Sequence, residues 1–188
     1  ARDAAALEAL AAIEPTRVRT VVADLAASDP EELAERAWSA FGGIEGVVHA
    51  AGVIRYEPFE VLGAESLEAQ LRVNFVAPLL LSRALVPKML AAGDASIDRA
   101  IVFLASTLAT KPAPLTIAYA ASKAALVNAA KGLAVELGPH GIRVNALLPG
   151  VIDTDMVRVP RLKKDEPPLT GAAREARGRD ELEAPVSY

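Results

Sequence analysis

The sequence predicts an α/β fold, a doubly wound parallel sheet with helices on both faces. Three observations predict it. Helix-like and strand-like segments alternate along the chain. The strand-like segments are short and unbroken in apolar character, as in parallel strands buried on both faces. The 52% hydrophobic content is mostly Ala, Leu and Val, which suits helices packed closely on a Val/Leu sheet. With 188 residues, the whole chain reads as one domain, its core at 1–156 and a loop or lid with a tail at 157–188.

The elements follow in order. Residues 3–13 are Ala/Leu-rich and read as the end of a helix stopped by Pro15. Residues 17–23 read as a strand. Asp29-Pro30-Glu31-Glu32 is a helix start: Asp29 caps, Pro30 takes the first helical position, and Glu32 reaches back to the cap. That helix runs to about Phe41, and Gly42-Gly43 ends it. Residues 44–50 form a short strand, and 65–90 a long helical stretch in which Pro78 and Pro87 start a turn or a kink. A strand at 100–105, a helix at 118–137 and a strand at 142–148 complete the pattern. Beyond Met156 the chain is rich in charge, Pro and Gly. Ligands in such sheets sit at the carboxyl ends of the strands, so the residues after Ala23, His49, Ala105 and Leu148 matter most.

Several function classes are argued against. A net charge of -4 provides no general basic field for nucleic acid. The absence of Cys removes disulfides, thiolate metal sites and thiol catalysis, and is compatible with a reducing cytoplasm, the expected location. No apolar run reads as long enough to span a membrane, and no membrane role is expected. No metal site is expected: His49 and His140 have no second ligand at metal spacing, and Pro139-His140-Gly141 reads as a turn.

The strongest chemical signal is Tyr119-Ala120-Ala121-Ser122-Lys123 at the start of a helix. Residues four apart share a helical face, so Lys123 can stand beside Tyr119. A free Tyr has a pKa of about 10, and bringing it to about 7 takes roughly 4 kcal/mol of preference for the phenolate. A unit charge ~4 Å away, at an effective dielectric of ~20, supplies about that much. Ser106 follows a strand directly, where a hydroxyl can polarise a substrate carbonyl. Asn74 lies mid-helix, where its poor propensity calls for a tertiary reason.

Taken together, Tyr119-x-x-x-Lys123, Ser106 thirteen residues earlier and Asn74 in its helix resemble the catalytic tetrad of the short-chain dehydrogenase/reductase family, which has a Rossmann-like fold. Further marks stand in family order. Asp24 and Leu25 resemble the element that contacts adenine. His49-Ala50-Ala51-Gly52 is similar to the Asn-Asn-Ala-Gly turn, with His and Ala in place of the two Asn. Arg143-Val144-Asn145 and Pro149-Gly150-Val151-Ile152-Asp153-Thr154 resemble the stretch that closes over the nicotinamide. The resemblance implies that Tyr119 exchanges a proton with the carbonyl or alcohol oxygen and that Lys123 lowers the Tyr119 pKa and holds the nicotinamide ribose. It implies that Ser106 polarises the carbonyl and Asn74 holds a water in a proton relay. Ala50, Ala51, Gly52, Pro149, Gly150, Ile152 and Thr154 are the remaining expected cofactor contacts. The family often pairs the 65–90 and 118–137 helices across an interface, so a homodimer or homotetramer is expected. Tyr-x-x-x-Lys also occurs in the extended epimerase and dehydratase branch, against which the short tail after Gly150 argues.

The sequence departs from the family at both ends. No glycine-rich phosphate loop is present: Gly42-Gly43 ends a helix, and Gly46 enters a strand. The chain opens at Ala1-Arg2-Asp3, where the family's second strand ends, and Arg177–Leu182 resembles the start of its last helix without the final strand. A piece of a longer chain is the expectation, because the tetrad is intact. The alternative is a non-catalytic module that has lost cofactor binding and serves as an interaction or scaffold domain. Arg2, just past the place of a strand end, can pair with a 2′-phosphate and favours NADP(H) over NAD(H). The substrate is a small carbonyl or alcohol shaped by loops at 53–63, 107–117 and 153–178, whose composition names no molecule.

Overall fold

The computed structural model describes residues 1–92 and 97–152, with Thr154 and Met156. The expected helix start near Arg177, the Lys163-Lys164 pair and most of the 153–178 loop lie outside the described residues. Helix α1 (Ala4–Ile13) begins where Asp3 accepts a hydrogen bond from the Ala6 N–H at 2.9 Å. None of its residues is buried. The strand expected at 17–23 is not formed. Its Ala23 N–H donates to Ala1 O at 2.9 Å, and one rung does not make a ladder, which needs a row of facing partners.

Helix α2 (Pro30–Ser39) is capped as expected: Asp29 accepts from the N–H groups of Glu31 at 2.8 Å and Glu32 at 3.0 Å. The Glu32 carboxylate, expected to reach back, lies 3.8 Å from Arg36 on the next turn. The helix stops at Ser39, and Gly42 supplies the left-handed residue (φ 75°) that turns the chain toward strand β1 (Gly46–His49).

The stretch expected as one long helix has three parts: α3 (Ala64–Leu71), a wide π turn (Arg72–Val76) and α4 (Ala77–Ala91). Ala77 N–H reaches back five residues to Arg72 O. The cause is local. Pro78 has no N–H to offer the Asn74 carbonyl four residues earlier, so the ladder widens ahead of it. Together residues 64–91 are long and apolar enough to cross a membrane, contrary to expectation. Their Ala84, Leu85 and Met89 instead belong to the core of the fold.

Strand β2 (Arg99–Leu104), helix α5 (Ile117–Leu137) and strand β3 (Ile142–Leu147) follow. Among the described residues the sheet is parallel throughout, in the order β1-β2-β3, with Val47 facing Ile101 and Ile101 facing Val144. Parallel neighbours require crossovers, and α3–α4 and α5 provide them. Ile101, Phe103, Ile142 and Val144 are buried with Ala34 of α2, Leu85 and Met89 of α4, and Leu126 and Ala130 of α5. The alternate residues face the other way: Val48 is 65% and Leu147 54% exposed. Helices α2, α4 and α5 pack on the face that carries Ile101 and Phe103, and the parallel, helix-covered sheet is of the α/β type expected, incomplete as the chain's ends led one to expect.

Candidate active site

The carboxyl ends of β1, β2 and β3 converge on the first two turns of α5. Tyr119, Ser122 and Lys123 are all buried there. Ser106 leaves β2 after one residue and caps the short turn Thr107–Ala109, accepting from Leu108 N–H at 3.2 Å. Its hydroxyl also lies close enough to the Tyr119 phenol to pull the phenol's pKa downward. Lys123 passes beside that ring, its Nζ 5.7 Å from the centroid, and donates to Leu104 O at 2.7 Å.

Asn74 sits at the centre of the π turn and is fully buried. Its Oδ1 accepts from Val53 N–H at 2.8 Å, and its Nδ2 donates to Val53 O at 2.9 Å and to Ser122 Oγ at 3.0 Å. Ser122 in turn donates to Tyr119 O at 2.7 Å. Both amide hydrogens are thus engaged within the protein. A water held by Asn74, as the resemblance implies, would use the backbone carbonyl that Pro78 leaves without an N–H.

Two electrostatic findings concern the expected proton chemistry. Burial pushes the Tyr119 phenol above its ordinary value; the Ser106 hydroxyl pulls the other way, and Tyr56 adds to the rise. This corrects the expected lowering by Lys123, whose ammonium is turned to the Leu104 carbonyl. Burial also brings Lys123 down to about 8, because a desolvated ammonium is disfavoured.

The expected cofactor contacts fall into two groups. Gly52 stands over the tetrad: a Cβ there would lie 3.3 Å from Asn74 Oδ1 and 3.5 Å from Lys123 Nζ, so the Ala50-Ala51-Gly52 turn approaches closely because it lacks a side chain. Thr107 N–H donates to Pro149 O at 3.0 Å, which brings the loop after β3 to the Ser106 turn. Gly150 and Ile152 continue that loop in the open, and Thr154 Oγ1 donates to Ile152 O at 3.4 Å. The second group is more exposed. Arg2 lies 3.7 Å from Asp24, which caps its own turn by accepting from Ala26 N–H at 2.9 Å. Leu25 is partly buried beside them. Arg72 Nε links the groups by donating to Ala26 O at 3.1 Å.

These residues fit the nicotinamide and ribose half of a dinucleotide. A buried ammonium with donors to spare, a glycine cradle and a phenol–hydroxyl pair converge on one spot. The described residues contain no glycine-rich strand–turn–helix to fit the pyrophosphate. Sequence reasoning missed Ser122, which joins Asn74 to Tyr119, and Gln70, whose Oε1 accepts from Arg55 N–H at 3.1 Å. The clue to Gln70 was its place one helical turn before Asn74.

The comparisons agree with this geometry. A short chain dehydrogenase family model matches residues 1–165. D-threitol dehydrogenase of Mycolicibacterium smegmatis is 35% identical over 130 residues, covering 69% of this chain and 48% of that protein. The crystal structure of a 3-oxoacyl-[acyl-carrier protein] reductase from Brucella melitensis in complex with NAD superposes with a TM-score of 0.75 at 32% identity, over 82% of this chain and 62% of the other. A putative NAD(P)-dependent gluconate 5-dehydrogenase from Beutenbergia cavernae, with NADP bound at low occupancy, gives 0.75 at 33% identity, over 84% and 62%. The chain spans about half the length of the first curated relatives it matches, 48% and 49%. Fold, residue order and family model together make this chain a member of the short-chain dehydrogenase family.

Proposed function

We propose that this chain carries the catalytic site of an oxidoreductase that interconverts a small carbonyl compound and its alcohol, with NADP(H) preferred over NAD(H). The carrying observation is the buried set of Ser106, Tyr119 and Lys123 at the carboxyl end of β2, with Lys123 Nζ 5.7 Å from the Tyr119 ring centroid. A bound nicotinamide dinucleotide would supply or accept the hydride. Lys123 and Tyr119 would hold its ribose, with Ala50, Ala51, Gly52, Pro149, Gly150, Ile152 and Thr154 around the nicotinamide. Asp24 and Leu25 would meet the adenine end, and Arg2 a 2′-phosphate.

The chain's own part is proton transfer and polarisation. Ser106 donates toward a carbonyl oxygen and stabilises charge that develops there. Tyr119, neutral at physiological pH, gives that oxygen its proton. Alcohol oxidation needs the phenolate, so it should speed up with rising pH. Asn74 holds the loop at Val53 and the first turn of α5 in one arrangement. A cytoplasmic location and a homo-oligomeric assembly belong to the same proposal.

The test is a titration of the folded chain with NADPH and then NADH, followed by nicotinamide fluorescence, and then a panel of ketones and aldehydes. Saturable binding, tighter for NADPH, supports the reading. Absence of binding to either nucleotide would remove the reductase reading for this chain.

A further inference from the structure

The helical stretch that carries Asn74 presents a polar stripe. Ser66, Gln70 and Asn74 recur every four residues and so share one helical face, and all three are buried. Each finds its partner on the same neighbouring segment. Asn74 exchanges two hydrogen bonds with the Val53 backbone. Gln70 Oε1 accepts from Arg55 N–H at 3.1 Å, and Ser66 Oγ donates to the Glu57 carboxylate. Gln70 Nε2 also donates to Ser66 Oγ at 3.4 Å, which ties two rungs together. The rungs fall on every second residue of the segment, against every fourth of the helix in reverse order. Two residues of extended chain advance about 6.6 Å, and four helical residues about 6.0 Å, so the two repeats stay in step over three rungs.

Both ends of this ladder reach α5. At one end Asn74 Nδ2 donates to Ser122 Oγ at 3.0 Å, and Ser122 donates to Tyr119 O at 2.7 Å. At the other, Glu57 N–H donates to Leu115 O at 3.0 Å. Leu115 belongs to the turn that opens the helix. Its neighbour Thr116 donates through Oγ1 to Ala113 O at 2.7 Å and accepts from Ala120 N–H at 2.7 Å. Leu115 holds φ at 66°, a left-handed conformation that a leucine keeps only when its surroundings impose it. The Glu57 amide supplies such a restraint from outside the turn.

The hydrogen bonds thus close a circuit through Tyr119. It runs from the Tyr119 carbonyl through Ser122 and Asn74 to the 53–57 segment, and returns at Leu115, four residues before Tyr119. Gln70, fully buried, is the middle rung, and Ser66 the outer one. Taking Tyr119 as the proton-transfer group proposed above, we infer that Gln70 and Ser66 are positioning residues of the reaction site. By fixing the 53–57 segment against α3 they hold the Leu115 turn, and with it the first turn of α5, where the Tyr119 phenol meets its substrate.

The chain has three tyrosines, Tyr56, Tyr119 and Tyr188, so a sample labelled with carbon-13 at tyrosine Cζ gives three signals to titrate by NMR. Tyr119→Phe assigns the Tyr119 signal. Tyr119 is 7% exposed, and burial disfavours the phenolate, so a loosened segment that admits water should lower its midpoint. Gln70→Leu should speed hydrogen exchange at the Arg55 amide at least about tenfold and lower the Tyr119 midpoint by at least about half a pH unit. Ser66→Ala removes only the outer rung and should move Tyr119 the same way by less; it carries the test should Gln70→Leu fail to fold. Val86→Ala trims a residue of α4 packed on the core and should leave the Tyr119 midpoint in place, because lost packing there does not touch the circuit. A Tyr119 midpoint unchanged in both ladder variants overturns the positioning roles, and so does an equal shift in Val86→Ala. None of these readings needs turnover. Shifts as expected in a chain that reduces no carbonyl would fault the oxidoreductase reading and leave the positioning of Tyr119 standing.

Discussion

The site around Tyr119 and the cluster around Arg2 and Asp24 are built to different standards. Asn74, Ser106, Tyr119 and Lys123 are buried, and hydrogen bonds fix the side chains of Asn74, Ser106 and Lys123. Arg2 and Asp24 are 73% and 44% exposed and meet at 3.7 Å. An ion pair in that setting contributes ~0–1 kcal/mol, whereas unpairing a buried polar group costs more. The first region therefore defines its own geometry. The second borrows what little it has, through one rung to Ala1 and one bond from Arg72.

The largest test of this contrast is chemical. Tyr119→Phe should reduce turnover by roughly 10²–10⁴-fold in a form that turns over, as expected for loss of a general acid, with cofactor affinity kept within a few-fold. Steady-state kinetics with fluorescence titration checks it, and substantial residual turnover would remove the acid/base assignment.

The next test concerns how deeply the buried region depends on pH. His49 donates to or accepts from Ser82 Oγ at 2.8 Å and stacks on Phe103 at 4.9 Å. Because Ser82 gives its own hydrogen to Pro78 O, His49 Nε2 must carry the proton. Burial holds the His49 pKa at about 4, below the ordinary 6.5. The unfolded chain binds the proton more tightly, so the stabilisation is complete above pH 6.5 and is lost as pH falls through about 4. The loss approaches roughly 3 kcal/mol. His49→Gln should flatten this part of the stability curve. Equal slopes in the two proteins, from urea midpoints at pH 7.5 and 4.5, would show that another group is responsible.

A second effect has the same sign with pH in a higher window. Lys123, held at about 8 instead of 10.5, costs stability in full below pH 8, and the cost is relieved as pH rises to 10.5. Lys123→Met should therefore stabilise the protein at pH 7 by about 1–2 kcal/mol, after allowing for the lost bond to Leu104 O, while weakening nucleotide binding. A destabilised variant would mean that the ammonium is better solvated than its burial indicates. Smallest of all, Arg2→Ala should change stability by less than ~0.5 kcal/mol, yet lower affinity for NADPH more than for NADH. Equal losses for the two nucleotides would remove the proposed 2′-phosphate contact.

What the sequence revealed divides along the same line. The α2 cap, the positions of α5 and the sheet strands, and Lys123 beside Tyr119 were legible because each follows from local pattern or fixed helical spacing, whereas Ser106 was joined to them only through the family resemblance. Asn74 was legible as a polar residue needing a tertiary reason, but its partner Val53 was not, since no spacing rule links a helix to a loop twenty-one residues away. The strand at 17–23 was misread because apolar, β-branched composition reports a preference for pleated surroundings and cannot supply the neighbours that make a ladder. The rise in the Tyr119 pKa was hidden for a related reason. Spacing puts Lys123 on the right helical face, but only the packed structure shows its ammonium drawn to the Leu104 carbonyl.

The π turn at 72–76 sets a rotational phase. It holds one residue more than an α turn of the same rise, and one residue corresponds to about 100° of helical rotation. Winding the same residues as an even α-helix, with none removed, would swing the Ser66–Gln70 face a quarter turn or more from the 53–57 segment while α4 kept its seat in the core. The winding of those five positions is thus an angular setting. It decides whether the polar stripe and the core stripe of one continuous helix can each meet their own partners.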